Sequence, residues 1–124
     1  MHNLTIQGTN KTPIVDFNTN GELKIEGRSI PEDSFDFYMP LIEWVDEWMN
    51  NLPSTIKMTV KLEYINTSSS KVILDLFKRL DEIHLSQKAD SEIIWLYDYD
   101  DDDSREEGQN FKSELSIPFT IKPF

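Results

Sequence analysis

The chain is predicted to be an α/β domain: one mixed β-sheet with helices packed on it and a parallel β-α-β crossover at its centre. Three observations predict this. From Ile56 to Ile65 apolar residues alternate with polar ones, Ile56, Met58, Val60, Leu62 and Tyr64 against Lys57, Thr59, Lys61 and Glu63, which is the period of a strand with one covered face. After the hydroxyl-rich turn Asn66-Thr67-Ser68-Ser69-Ser70-Lys71 the period changes to that of a helix, through Ile73, Leu76, Phe77, Leu80, Ile83 and His84. The uninterrupted apolar run Ile93 to Tyr97 then reads as a strand covered on both faces. Strand, helix and strand in that order form a right-handed crossover, so the two strands pair in parallel under a Ser68–Gln87 helix.

The remaining elements follow in chain order. Leu4 to Ile6 is a short strand, and Thr12 to Phe17 a second, with Pro13 near its start, where an edge tolerates a missing amide. Asn18-Thr19-Asn20-Gly21 is a turn, because Asn and Gly accept positive φ cheaply, and Glu22 to Glu26 returns as the other arm of a hairpin. Gly27-Arg28-Ser29 closes that arm. A helix starts at Ile30-Pro31-Glu32-Asp33-Ser34, with Asp33 as cap, and runs to about Asn50 along a stripe from Phe35 and Tyr38 to Trp48 and Leu52. Pro40 should kink it or break it near Phe37. Asp98 to Asp103 forms an acidic loop, Arg105 to Phe111 a short helix capped by Asp103 or Ser104, and Ser116 to Lys122 a last strand with Ile117, Phe119 and Ile121 on one face.

Composition narrows the function. With 124 residues, no repeat and no inter-domain linker, residues 1–124 are read as a single domain large enough for its own core. Cysteine is absent, which removes disulfides, thiolate zinc sites and cysteine nucleophiles. A net charge of −11 opposes binding to phosphate backbones and anionic lipid, so neither nucleic acid nor membrane is an expected partner. No basic cluster followed by an apolar run opens the chain, and the expected location is cytoplasmic. In that setting the sequons at Asn3, Asn10 and Asn66 carry no information. No cofactor is expected.

Each motif has a plain reading beside a chemical one. Ser68-Ser69-Ser70-Lys71 matches the S-x-x-K of serine β-lactamases, but the S-D-N and K-T-G elements are missing. A P-loop needs glycines ahead of its lysine, and Asn66 to Ser70 has none. Asp98 to Asp103 imitates an EF-hand, yet Asp103 stands where the loop needs Gly and Gln109 where it needs Glu, so a solvated acidic loop is the better reading and tight calcium binding is not expected. His2 and His84 are too few for a histidine metal site, and His84 reads as a boundary residue. Trp44 and Trp48, one helical turn apart, read as core. Asn66, Thr67 or Ser68 can cap a helix, worth about 1 kcal/mol, or the turn can accept a phosphoryl group where first-turn amides tolerate an anion. Composition does not choose between these.

Thr12-Pro13, Pro31-Glu32-Asp33-Ser34, Trp44, Tyr64 to Lys71, Trp95-Leu96-Tyr97-Asp98 and Pro118-Phe119 together do choose. On these pieces the chain, from Leu4 to Ile121, resembles the SiaC-like family of bacterial regulatory phosphoproteins, which are similar in fold and logic to STAS-type anti-anti-sigma factors. The Asn-Thr-Ser-Ser turn is the most specific piece. The resemblance implies a STAS-like fold and a non-enzymatic switch, phosphorylated on Thr67 by a partner kinase and dephosphorylated by a PP2C-type phosphatase. Its unphosphorylated form is expected to bind and activate a diguanylate cyclase, with Asn66, Ser68, Ser69, Ser70 and Lys71 completing the switch turn. The chain departs from the family at Ile30 and Asp33, where an aromatic residue and Asn are usual, and in its acidic 98–103 segment. The alternative is a small enzyme using the Thr67 or Ser68 hydroxyl as nucleophile. That needs an acid or base converging on the turn, and no histidine or acidic residue lies beside it in sequence.

Overall fold

A computed structural model describes residues Met1 to Phe124. Its strands are β1 (Leu4–Ile6), β2 (Ile14–Phe17), β3 (Glu22–Ser29), β4 (Thr55–Ile65), β5 (Asp90–Tyr97) and β6 (Phe119–Pro123). Helices α1 (Ser34–Trp48), α2 (Thr67–Leu85) and α3 (Asp102–Ser113) alternate with the last four strands. One six-stranded sheet results, in the order β1-β2-β3-β4-β5-β6. The first three strands form an antiparallel meander, and β3 to β6 run parallel. The β4-α2-β5 crossover is thus as the change of period indicates.

Successive crossovers of one hand, all stepping the same way along a sheet, place their helices on the same face. Burial agrees, because Val15, Ile25, Val60, Trp95 and Phe119 are buried on that face while alternate residues such as Lys24, Lys57 and Thr120 are exposed. This corrects the expectation for Ile93 to Tyr97: Ile94 and Leu96 point to the uncovered face and are only half buried. A 25-residue apolar cluster fills the space between sheet and helices. Trp44, 8% exposed, packs on Phe17 and Trp48 and donates its indole N–H to the His2 carbonyl at 2.9 Å.

Local expectations fail where tertiary structure supplies what local chemistry lacks. Pro40 does not break α1, which runs unbroken from Ser34 to Trp48. Proline deprives the Asp36 carbonyl of its helical donor, but Asp36 and Pro40 lie on the exposed side, where water can take the bond. Gly27-Arg28-Ser29 does not close the hairpin arm; β3 continues to Ser29 through an irregularity between Gly27 and Arg28, with Gly27 at φ +129°. Strand β2 begins at Ile14 and β6 at Phe119, each later than periodicity suggests. Helix α3 starts earlier, at Asp102, and its cap is Asp101 instead of Asp103 or Ser104. Part of the acidic loop is therefore helix. Gly108 on α3 lets that helix approach the sheet, since a Cβ there would stand 2.6 Å from Trp95 Cδ1. Phe35 and Tyr64, placed in apolar stripes by spacing, are 61% and 57% exposed; Phe35 stands in the first turn of α1, and the register shift pairs Tyr64 with Arg28, which turns it to the uncovered face of the sheet.

Candidate functional site

Strands β3 to β6 end, and the three helices begin, on one edge of the sheet. Asp33, Asn66 and Asp101 cap the helices in the same way, each side chain accepting the amide three residues on at 3.0 Å. This is the edge at which open α/β sheets present loops and bind ligands.

At the entrance to α2 the hydroxyls divide into a buried set and an exposed one. Ser29 Oγ lies 2.6 Å from the Tyr38 phenol oxygen and donates to Ser69 Oγ at 2.9 Å. Ser34 Oγ is 3.0 Å from Ser69 Oγ and 2.7 Å from Ser68 Oγ. Ser29, Ser34, Ser69 and Tyr38 are all buried, so this chain of hydroxyls fastens the end of β3 and the start of α1 to the start of α2. Burial pushes the Tyr38 hydroxyl up to about 12, with the Ser29 contact pulling weakly the other way. Asn66, the cap, also anchors the turn: its backbone N–H donates to the Ser29 carbonyl at 3.0 Å and its amide group to the Pro31 carbonyl at 3.5 Å. Ser70 Oγ donates to Glu107 Oε1 on α3. Lys71 is exposed and makes no ion pair.

Thr67 differs from all of these. It is the first residue of α2, its side chain is exposed, and its hydroxyl has no hydrogen-bond partner, whereas Ser68, Ser69 and Ser70 each have one. The helix amides of Thr67 and Ser68 have no intrahelical acceptor, and the first turn of α2 contains no acidic residue, so its positive end is not neutralised from within.

Thr67 also lines a groove with Tyr64 and Ser70 whose walls carry Glu63, Asp101, Asp103 and Glu107. None of these carboxylates is adjacent to the turn in sequence; Glu63, three residues before Asn66, is exposed and directed away from the core. Glu107 stands 37 positions from Ser70, Ser34 the same order from Ser68 and Ser69, and no local pattern announces such pairs. Ser34 does belong to the Pro31-Glu32-Asp33-Ser34 piece of the resemblance, the one signal that could have drawn it in. The groove gives the turn nearby carboxylates, but Glu107 contacts Ser70 and leaves the Thr67 hydroxyl free. No group of three or more His, Cys, Asp or Glu side chains is placed to hold a metal ion. In the 98–103 segment the carboxylates serve the backbone instead, Asp98 accepting the Asp100 amide at 3.1 Å and Asp101 capping α3. No helix is long and apolar enough to cross a membrane.

The fold is shared with known proteins. A solved structure of SiaC of Pseudomonas aeruginosa superposes with a TM-score of 0.91 at 30% identity, covering 100% of both chains. The SiaC chain in a crystal structure of the diguanylate cyclase SiaD in complex with its activator SiaC, from the same organism, matches at 30% identity and TM-score 0.90 over 98% of this chain and 99% of that one. An uncharacterised protein of Pseudomonas aeruginosa strain UCBPP-PA14 is 31% identical over 123 residues, 98% of this chain and 97% of that protein. The model of the SiaC family regulatory phosphoprotein matches residues 6–124, and the chain belongs to that family.

Proposed function

We propose that this protein is a non-enzymatic cytoplasmic switch whose state is set by reversible phosphorylation of Thr67. A partner kinase adds the phosphate, a PP2C-type phosphatase removes it, and the unphosphorylated form binds and activates a diguanylate cyclase, as SiaC, the activator of SiaD, suggests. The observation that carries the reading is the division of hydroxyls: Ser68, Ser69 and Ser70 are engaged, and Thr67 alone is exposed and unbound at the start of a helix.

The electrostatics favour an outward-facing phosphate. First-turn amides attract the dianion, and the Glu63, Asp101, Asp103 and Glu107 carboxylates repel it from the groove. It then stands on the surface a partner must cover, where stripping its water costs several kcal/mol, on the order of a hundredfold or more in affinity. The fold itself should barely change.

Incubation with ATP and a lysate of the native host, followed by mass spectrometry, should give one stoichiometric phosphothreonine at Thr67. The diguanylate cyclase captured by the unphosphorylated protein should then bind the phosphorylated form on the order of a hundredfold more weakly. Thr67→Ala should bind it constitutively. Equal affinities of the two forms would reduce Thr67 to an ordinary helix position and overturn the proposal, and turnover of a substrate at the Thr67 or Ser68 hydroxyl would replace it with an enzyme.

A further inference from the structure

Four hydroxyls follow one another at the entrance to α2, Thr67, Ser68, Ser69 and Ser70, and a kinase that reaches the first is within a residue or two of the others. Two of them are withheld by their surroundings. Ser69 is fully buried, and Ser70 is half-buried with its hydroxyl donated to Glu107, so that a phosphate there would face a carboxylate. Ser68 has neither protection. Its side chain is exposed like that of Thr67, and no carboxylate binds it.

What distinguishes Ser68 from Thr67 is Ser34, 34 positions earlier and the first residue of α1. The two Oγ atoms lie 2.7 Å apart, and the Asn66 side-chain oxygen is 3.4 Å from each. Each hydroxyl has one proton. Ser29 donates its own to Ser69, which leaves Ser69 to donate to Ser34 at 3.0 Å. Ser34 then either donates to Ser68, or accepts from Ser68 while donating to Asn66, and in both arrangements Ser68 Oγ is turned toward α1. Ser34 is 4% exposed, so turning Ser68 outward leaves a buried hydroxyl short of a partner. A phosphate on Ser68 would also stand at the start of α1, where the cap Asp33 and the first-turn Asp36 are already acidic.

We propose that Ser34 determines which residue of the turn is modified: by holding the Ser68 hydroxyl it excludes Ser68 as a phosphate acceptor and leaves Thr67 as the single site. The proposal rests on the reading that Thr67 is phosphorylated, and names what selects it. In the transfer, the acceptor oxygen forms a bond to the γ-phosphorus of ATP as the bond to ADP breaks, and the hydroxyl proton passes to a base of the kinase. Ser68 must first leave its bond to Ser34, whereas the Thr67 hydroxyl has no bond to leave. Breaking one such bond and stranding its buried partner corresponds to roughly tenfold to a hundredfold in rate.

The test locates phosphate by tandem mass spectrometry after short incubation of the full chain with ATP and a lysate of the native host. Wild-type protein should carry it on Thr67 alone, and Thr67→Ala should carry none between residues 66 and 71. Thr67→Ala/Ser34→Ala should gain phosphoserine at Ser68, at least about tenfold above Thr67→Ala, and Thr67→Ala/Ser34→Thr, which restores the hydroxyl, should lose it again. Ser34→Cys, with its weak hydrogen-bonding thiol, takes the place of Ser34→Ala if that variant does not fold. Thr67→Ala/Ser29→Ala breaks the same buried chain without touching the Ser34–Ser68 contact and should leave Ser68 unmodified. Phosphate on Ser68 while Ser34 is intact would overturn the proposal. So would equal labelling in the Ser29 variant, or phosphate spread over Ser68, Ser69 and Ser70, since either assigns the selection to general packing. Wild-type protein without phosphate on Thr67 sinks the switch and the selection together, whereas phosphate on Thr67 with Ser68 silent in every variant sinks the selection alone.

Discussion

The entrances to α2 and α3 lie side by side on the same edge and meet the same capping requirement with different chemistry. Asn66 and Asp101 each accept the amide three residues on at 3.0 Å, but the first turn of α2 has no acidic residue while that of α3 contains Asp102 and Asp103. A helix start that already holds carboxylates has little left to offer an anion. The entrance to α2, neutral and built on buried hydroxyls, can take a charge reversibly; the entrance to α3 supplies a fixed negative wall beside it. Modification chemistry and electrostatic context are thus divided between two neighbouring turns.

The largest effect that distinguishes them is alkaline. Tyr38 belongs to the hydroxyl chain at α2, and its folded pKa of about 12 exceeds the ordinary 10. The folded state therefore keeps a proton that the unfolded chain has lost, and stability is full below pH 10 and falls as pH rises from 10 to 12. The loss is roughly 2–3 kcal/mol over that window. Urea denaturation at a series of pH values should show it, and Tyr38→Phe should remove this component of the pH dependence. A pH profile identical in the two proteins would mean that the phenol is not held in the buried chain.

Cap removal is the next largest. Asn66→Ala loses the Ser69 amide bond, the Pro31 contact and an acceptor for Ser34, so about 2 kcal/mol is expected. Asp101→Ala loses one amide bond but also relieves repulsion from Asp98, Asp100, Asp102 and Asp103, and should cost at most about 1 kcal/mol. Thermal denaturation ranks them. The reverse order would show that the carboxylates at α3 are organised more tightly than the hydroxyls at α2.

How much of this was legible in sequence depends on the range of the interaction. The β4-α2-β5 unit was readable because a change of period is local, and Asp33 as cap because capping spans three residues. The length of α3 was hidden, since a run of aspartates reads as loop until Asp101 is seen to cap and Gly108 to settle against Trp95. Tyr64 keeps the spacing of a buried residue and is exposed, because the register shift between β3 and β4 turns it to the uncovered face, and alternation along one strand carries no sign of such a shift. The turn itself was visible. Its partners were not: Ser29, Ser34, Tyr38 and Glu107 reach it only through the order of strands and helices.

The smallest effect tests whether the two entrances sense each other. Thr67→Asp places one carboxylate at the positive end of α2, a gain of about 0.5 kcal/mol if the helix end acts alone. The groove opposes it, with Glu63, Asp101, Asp103 and Glu107 on its walls, each worth a few tenths of a kcal/mol in a water-filled setting. Thr67→Asp alone should therefore be neutral or destabilising by about 0.5 kcal/mol at low salt. In a Glu107→Gln background, where the amide oxygen can still accept from Ser70 Oγ, the same substitution should become neutral or favourable. A double-mutant cycle should give a coupling of roughly 0.5 kcal/mol in 50 mM salt that fades in 1 M salt, as expected for exposed charges beyond a Debye length of about 3 Å. Zero coupling at low salt would mean that the wall does not reach position 67. A phosphate there would then settle on the first-turn amides of α2 instead of facing outward, and weakened partner binding would need a cause other than an anion presented to the partner.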